Sequence, residues 1–283
     1  GQSVALKVFH PGIWSAQEQR QRLLAEFRAS SLLDHPNIVK VFEPLLEGDA
    51  PAVVMELIEG QSLEEFQCRL PYVFPEISVL LILEILKALE FAHEKGVIHR
   101  DIKPANILIG TGADDGRVLV SDFGLAKIRD MSRLTLTGTI LGSPDYMAPE
   151  QARGETATAA SDLFSLGAVL YFLVTGTRPF SRSTPLSTLA AVCDCNPEAA
   201  QKRNPKLSPA LARILARALD KNPLQRFTRA IDFRKALEEY LSSLGLAGFT
   251  FKQWLREPTP TVLEGLKTSA DTLTAHAEKA PPS

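Results

Sequence analysis

The sequence predicts an α+β protein with a small lobe built around a sheet and a larger helical lobe. Short apolar segments that alternate with period two lie mainly in the first sixty residues. Further along, apolar positions recur at helical spacing, apart from one hairpin near residues 107–120. Strands that come first and helices that come later are typical of α+β proteins. A ligand of such a protein is expected in the cleft between the two lobes.

The bulk composition is that of an ordinary globular chain. The 283 residues suffice for one large domain or two lobes, with 45% hydrophobic and 23% charged residues. The net charge of -2 gives no basic surface, so we expect no nucleic acid partner. No apolar run is long enough to span a membrane, so we expect no membrane contact within this chain. We expect a cytoplasmic location, either alone or as the cytoplasmic part of a larger or membrane-anchored protein.

The first elements form the small lobe, at about residues 1–58. Residues 4–9 can be read with period two, with Val4, Leu6 and Val8 on one side and Lys7 on the other, and predict a strand. A capping box that starts at Ser15 begins a helix that extends to about Leu33. Two further strands are predicted at residues 38–42 and 53–56, and residues 57–60 form a connector to the next lobe.

The remaining elements form the helical lobe, at about residues 59–245. The predicted helices are these: residues 62–70, 76–95, 163–175, 207–220 and 229–244. Residues 246–283 are rich in Thr, Ala and Pro, which predicts a C-terminal tail or linker. The chain starts with Gly1 instead of Met, inside the first strand, and we interpret it as a piece of a longer protein.

The hairpin brings polar residues together. Strands at residues 107–109 and 118–120 are joined by a polar turn. Asn106 stands just before the first strand and Asp122 just after the second, so antiparallel pairing puts both at the same open end. Asp101 lies on the loop that leads into this end. Carboxylate and amide oxygens suit Mg²⁺, which keeps its other positions for water and phosphate.

Four segments carry a resemblance to a known family. His99-Arg-Asp-Ile-Lys-Pro-Ala-Asn106 resembles the catalytic loop of protein kinases, and Asp122-Phe-Gly124 resembles their metal-binding motif. Val4-Ala-Leu-Lys7 resembles the kinase strand whose lysine holds phosphates, and Gly142 to Glu150 resembles the substrate segment that ends in Ala-Pro-Glu. The chain is most similar to bacterial Hanks-type serine/threonine kinases. The resemblance therefore implies a bilobal protein-kinase-like fold.

One expected part of that family is absent from the sequence. No segment reads G-x-G-x-x-G, so the small lobe is truncated at the glycine-rich loop. Two explanations remain open: the chain was cut at this point, or the protein lost the loop.

The resemblance implies the catalytic roles of three residues. Asp101 would orient the substrate hydroxyl and accept its proton, and Lys103 would steady the γ-phosphate of ATP. Asn106 and Asp122 would hold Mg²⁺. The implied cofactors are therefore ATP and Mg²⁺.

The resemblance also implies a nucleotide site on both sides of the connector. Lys7 would hold the α- and β-phosphates, braced by an ion pair with Glu26; a solvent-exposed Glu26 without this role is the alternative. The complete set comprises Ala5, Lys7, Glu26, Met55, Glu56, Ile58, Leu108 and Asp122. In this set Ala5 would cover the adenine, and the backbone of Glu56 and Ile58 would bond to it.

A threonine-rich segment follows Gly124 at the position of the kinase activation loop. Thr135 and Thr137 are the predicted phosphosites, and Arg100 would pair with the phosphate. The alternative is a threonine-rich loop without modification. The residues with implied structural roles are Arg100, Phe123, Gly124, Ser143, Glu150, Asp162 and Arg226. Among them, Glu150 would pair with Arg226, and Asp162 would hold the catalytic-loop backbone.

The predicted function is that of a serine/threonine protein kinase that moves the γ-phosphoryl group of ATP to protein hydroxyls and is regulated by loop phosphorylation. Its partners would be protein substrates and a second kinase chain during autophosphorylation. A pseudokinase or phospho-dependent interaction module is the alternative, because the glycine-rich loop is missing. A small-molecule phosphotransferase ranks last, because it has no reason to keep the Ala-Pro-Glu segment and Arg226.

Overall fold

The structure, a computed structural model, describes residues 3–9, 17–45, 51–69, 74–123 and 144–256. Its strands are β1 (Val4–Val8), β2 (Val41–Leu45), β3 (Ala52–Glu56), β4 (Gly60–Ser62), β5 (Ile107–Gly110) and β6 (Val118–Val120). Its helices are α1 (Gln17–Ser31), α2 (Leu63–Arg69), α3 (Pro75–Glu94), α4 (Pro149–Ala152), α5 (Ala159–Thr175), α6 (Pro185–Asp194), α7 (Ala200–Arg203), α8 (Pro209–Ala218), α9 (Ala230–Ser243) and α10 (Phe251–Arg256).

The small lobe is an antiparallel sheet with the strand order β1-β3-β2, covered by α1. Strand β1 pairs with β3 along its whole length, and Val4 lies opposite Glu56. Phe9 and Val53 pack against Phe27 of α1 in a small core of their own. Burial of these apolar side chains fixes α1 on one face of the sheet.

The hairpin forms a second sheet, with the order β4-β5-β6. Ile107 pairs with Val120, so the residues before β5 and after β6 meet at the same end. The hairpin also bonds to the segment before β2. The backbone N–H of Val39 donates to the carbonyl of Val120 at 3.0 Å, and the N–H of Val120 donates to the carbonyl of Asn37 at 2.9 Å. These two bonds fasten the small lobe to the helical lobe.

The helical lobe is organised around α3, which has a broad apolar face and a narrower polar side that carries Glu84 and Lys87. A broad apolar face must be buried against other elements, and α3 contacts α5, α9, α10 and β6. Helix α5 ends at Gly176, which has a left-handed φ of 70°. Within α5, a Cβ atom at Gly167 would come within 2.8 Å of the Cβ of Ala218, so the glycine permits close packing against α8.

Packed structure continues past residue 245. Phe251 of α10 is fully buried in the main core, and Trp254 and Leu255 pack against the same cluster. These residues belong to the predicted tail, whose remainder from residue 257 lies outside the described residues. The domain boundaries themselves stay a prediction.

Several elements differ from their predicted positions. The second strand occupies residues 41–45 instead of 38–42, because Ile38 forms a parallel bridge with Val120 and is not part of the β2–β3 ladder. The short elements β4, α4, α6 and α7 were not predicted. Within the described part of the chain, no helix is both long and apolar enough to cross a membrane.

Candidate active site

The backbone of the loop at residues 99–106 is bonded to Asp162, which lies in the first turn of α5. Asp162 is buried, with 1% of its surface exposed. The Oδ2 atom of Asp162 accepts bonds from the backbone N–H of His99 and from Nε2 of His93, both at 2.8 Å. Its Oδ1 atom accepts the N–H of Arg100 at 2.7 Å. Arg100 has a φ of 70°, which is strained for a residue with a side chain. The two backbone bonds to one buried carboxylate hold the loop in this conformation.

The charge of Asp162 is maintained although no water reaches it. Burial would raise the pKa of Asp162, but the hydrogen bond from His93 and the charges of His93 and His99 lower it below the ordinary value. Sequence reasoning missed the role of His93. The available signal was a histidine on the apolar face of α3, seven residues after Leu86 and four after Leu89.

The three predicted catalytic residues lie in direct contact. The Nζ of Lys103 lies 2.6 Å from Oδ2 of Asp101. The Nδ2 of Asn106 donates to the carbonyl of Asp101 at 2.7 Å and to its Oδ2 at 3.1 Å. The turn at Pro104–Asn106 brings Asn106 back toward Asp101. A carboxylate, an ammonium group and an amide thus share one small site.

Asp122 lies across the hairpin end from this cluster. The N–H of Ser121 donates to the carbonyl of Asn106 at 2.9 Å, which fixes the two chain segments side by side. Asp122 also has a left-handed φ, of 69°. The neighbouring Phe123 is buried, contacts the ring of His99 edge to face, and accepts a bond from Ser30 of α1 on its carbonyl.

The predicted ion pair between Lys7 and Glu26 is not the one that the structure contains. Among the described residues, the ion-pair partner of Lys7 is Asp122, with 2.5 Å between Nζ and Oδ2. Glu26 lies 3.7 Å from Nη1 of Arg100 instead. The four residues therefore form two charge pairs, Lys7 with Asp122 and Arg100 with Glu26. At these distances each cation is attracted mainly to the carboxylate beside it.

The predicted adenine-contacting residues surround the end of β3. Ala5 and Met55 are directly paired in the sheet, so both lie where β1 and β3 meet the connector. The N–H of Glu56 already donates to the carbonyl of Lys40 at 2.8 Å. Any bond from Glu56 to a nucleotide would therefore use its carbonyl. Ile58 is half-buried in the connector, and Leu108 of β5 is half-buried beneath it, opposite Ser62 of β4.

The predicted structural pair is present in the interior of the helical lobe. Arg226 donates to both carboxylate oxygens of Glu150 at 2.9 Å, and Ser161 donates to Oε1 at 2.6 Å. Burial would raise the pKa of Glu150, but the bonds from Arg226 and Ser161 outweigh it and lower the pKa. Gln151, next in the chain, donates to the carbonyl of Arg100 at 2.9 Å, so this region also supports the loop.

Four predicted residues lie outside the described part of the chain: Gly124, Thr135, Thr137 and Ser143. Their predicted roles stay predictions.

The donor set at the hairpin end fits Mg²⁺. Asn106 uses its amide nitrogen for Asp101, so its amide oxygen is the atom that it can offer to a metal. Asp122 adds a carboxylate, and hard oxygen ligands of this type are those that Mg²⁺ prefers. The Oδ2 atom of Asp122 is bonded to Lys7, so full use of this carboxylate requires Lys7 to move.

Comparisons with known proteins agree on one family, the protein kinases. A family model described as "Protein kinase domain" matches residues 1–241. Serine/threonine-protein kinase PrkC of Bacillus subtilis is 35% identical over 229 residues, which cover 81% of this chain and 35% of that protein. Serine/threonine-protein kinase PkaA of Streptomyces coelicolor is 37% identical over 80% of this chain and 41% of that protein. This chain thus spans well under half the length of these curated relatives.

The solved structures agree in fold. The crystal structure of the Mycobacterium tuberculosis PknI kinase domain matches with a TM-score of 0.66 and 28% identity. The match covers 83% of this chain and 85% of that one.

Proposed function

Because this chain belongs to the protein kinase family, we propose that it transfers the γ-phosphoryl group of ATP to serine and threonine hydroxyls of proteins. The observation that carries the proposal is the cluster of Asp101, Lys103 and Asn106, which faces Asp122 at the hairpin end. Phosphoryl transfer depends mainly on positioning and electrostatics, and this cluster supplies both.

Each residue has a role that follows from its contacts. Asp101 orients the acceptor hydroxyl and takes its proton. Lys103, 2.6 Å from this carboxylate, places a positive charge where the γ-phosphate meets the hydroxyl. Asn106 and Asp122 would hold Mg²⁺, which when bound neutralises charge on the phosphates. Since the reaction consumes ATP, we assign the domain to the cytoplasm.

We assign regulation to phosphorylation of Thr135 and Thr137 by a second kinase chain. Arg100 supports this assignment, because its Nη1 atom is buried without a hydrogen-bond partner among the described residues. A phosphate would add about two negative charges within reach of such a guanidinium. Replacing Thr135 and Thr137 by alanine should abolish autophosphorylation of the loop. The rate of autophosphorylation should rise with kinase concentration, as expected for a reaction between two chains.

The pairing of Lys7 with Asp122 favours a second candidate, a binding module without phosphoryl transfer. One experiment decides between the two. Phosphate incorporation from labelled ATP is measured in the wild type and in Asp101→Asn, with Mg²⁺ and with excess chelator. We expect Asp101→Asn to lose about 10²–10⁴-fold in rate, the usual worth of a positioned base, and the chelator to abolish incorporation.

The matched control is Asp34→Asn, which makes the same chemical change in an exposed residue paired only with Lys40 among the described ion pairs. It should retain the wild-type rate. Equal incorporation by the wild type and Asp101→Asn would refute the kinase proposal, and nucleotide binding without incorporation would favour the binding module.

A further inference from the structure

One arginine joins the two lobes beside the connector. Arg117 lies directly before β6 in the helical lobe, and its Nη1 atom donates to two carboxylates. It reaches Oε1 of Glu56 at 3.0 Å and Oδ1 of Asp114 at 2.5 Å. Glu56 is the last residue of β3 in the small lobe, whereas Asp114 belongs to the hairpin turn. A single guanidinium thus bridges the point at which the chain passes from one lobe to the other.

One carboxylate that Arg117 binds, that of Asp114, is itself bonded to the connector, and the other belongs to Glu56, the residue directly before the connector. The Oδ2 atom of Asp114 accepts the N–H of Glu59 at 3.4 Å. The carbonyl of Glu59 accepts the N–H of Thr111 at 2.7 Å. At the other end, Oε2 of Glu56 accepts the N–H of Lys40 at 3.3 Å. Both ends of the connector are therefore fastened by one network centred on Arg117.

The fit between the connector and the hairpin is close. A Cβ atom at Gly60 would clash with the backbone carbonyl oxygen of Ile109. Since the backbones of the connector end and the hairpin are this close, a change in the network is expected to displace the connector.

The charges in this network depend on the arginine. Burial would lower the pKa of Arg117, but the hydrogen bonds to Asp114 and Glu56 raise it on balance. Without Arg117, two acidic groups would face each other with no shared cation, and like charges at short range repel. Arg117 and Glu56 also line an open cavity of about 610 Å³, so shortening the arginine leaves no sealed void that would unfold the lobe.

We propose that Arg117 is a positioning residue for the nucleotide: it fixes the connector at residues 57–60 against the hairpin and so sets the geometry of the adenine site. The inference rests on the proposed function, because Glu56 and Ile58 are the predicted adenine contacts. Arg117 itself does not touch the nucleotide. Arg117 orders the connector before the nucleotide binds, so the connector loses less conformational entropy on binding.

The test uses Arg117→Met, which keeps an unbranched apolar side chain and removes the guanidinium group. Two quantities are measured: amide hydrogen exchange at residues 56–60, and the dissociation constant of Mg²⁺·ATP from titration followed by fluorescence or calorimetry. We expect faster exchange in the variant and nucleotide affinity weaker by about tenfold, which corresponds to about 1.4 kcal/mol. In steady-state kinetics the KM for ATP should rise by a similar factor while kcat changes little.

Two further variants sharpen the result. Arg229→Met is the matched control, because Arg229 also pairs with an aspartate, Asp232, but lies on the exposed start of α9; it should bind ATP as the wild type does. In a double-mutant cycle, Asp114→Asn should cost much less affinity in the Arg117→Met background than in the wild type, because both changes break one network.

The outcomes separate the two levels of the proposal. Unchanged exchange at residues 56–60 in Arg117→Met, or equal ATP affinity in that variant and the wild type, overturns the positioning role and leaves the kinase proposal standing. Failure of the wild-type chain to bind ATP overturns the proposed function and the positioning role together.

Discussion

Replacing Arg226 by methionine should destabilise the helical lobe more than any exposed arginine replacement. The side chain of Arg226 has no solvent exposure and that of Glu150 has 6%. Besides its two bonds to Glu150, the guanidinium donates to the carbonyls of Asp220 and Lys221 at 2.5 and 3.0 Å. Methionine fills a similar volume but supplies none of these donors, so Glu150 would be left as a buried charge supported mainly by Ser161.

The size of the effect follows from this burial. Breaking a buried pair by removing one partner costs about 3–5 kcal/mol, mostly because the other charge stays buried and unpaired. For a chain of this size each kcal/mol shifts Tm by about 2–4 °C, so the melting temperature should fall by roughly 6–20 °C. Urea denaturation followed by circular dichroism and a thermal melt measure the two quantities independently.

The reasoning is tested by two companion variants. Arg229→Met removes a surface pair in which the arginine side chain is 72% exposed, and it should leave the melting temperature unchanged. The double variant Glu150→Met/Arg226→Met removes both charges and should be more stable than Arg226→Met alone, since no unpaired charge remains. If Arg226→Met melts within 2 °C of the wild type, or the double variant is the less stable of the two, the account of this pair is refuted.

Two further predictions concern stability. Burial, and after it the charge of Arg226, lowers the pKa of Lys221 to about 8, so the unfolded chain holds more protons than the folded one between that pH and about 10.4. The free energy of unfolding should therefore rise with pH across this window in the wild type relative to Lys221→Met. Parallel pH profiles of the two chains would contradict this prediction. Gly116→Ala should lose about 1–2 kcal/mol of stability for the left-handed backbone and more for the clash with Lys252, whose Cγ would lie 2.9 Å from the new Cβ. Gly154→Ala, at a similar φ but with open space around it, isolates the backbone cost in urea denaturation. Equal losses of stability in the two variants would show that α10 does not pack against the hairpin turn in this way.

The predicted fold class and family are confirmed, because both rest on signals that are local in sequence. A proline-containing polar loop, a hairpin with apolar strands and an aspartate just after the second strand lie within 24 residues, His99 to Asp122. Such local patterns determine which residues meet at the hairpin end, and the observed pairing of Ile107 with Val120 has this geometry. The roles of the individual site residues stay predictions.

The elements that were missed show where local signals are weak. Helix α6 carries a clear start signal, since Thr184 caps it and Pro185 occupies its first position. Its apolar pattern is mixed, however: Leu186 is 71% exposed and few of its residues are buried. The displaced strand β2 has the same origin, because residues 38–45 are mostly apolar without strict alternation, and the partner of each residue is decided by Val120 and β3.

The wrong ion pair has a different cause, and it bears on how the site works. Sequence reasoning identifies two cations, Lys7 and Arg100, and two carboxylates, Glu26 and Asp122, but not which cation lies nearer to which carboxylate. Both pairings have the same total charge, so local charge balance alone does not choose between them. The observed pairing leaves neither the proposed metal site nor the proposed phosphate site fully available, since Asp122 is bonded to Lys7 and Arg100 lies beside Glu26.

A pairing of Lys7 with Glu26 becomes balanced only when both ligands of the proposed function are present. If Lys7 moves to Glu26, Asp122 is left with a negative charge that a bound cation would neutralise, and Arg100 is left with a positive charge that a phosphate would neutralise. Either ligand alone leaves one of the four side chains partly buried and unpaired, which is costly. On the proposed function, these four charges would couple metal binding at Asp122 to phosphate binding at Arg100 through Lys7 and Glu26, and the two ligands need not touch each other.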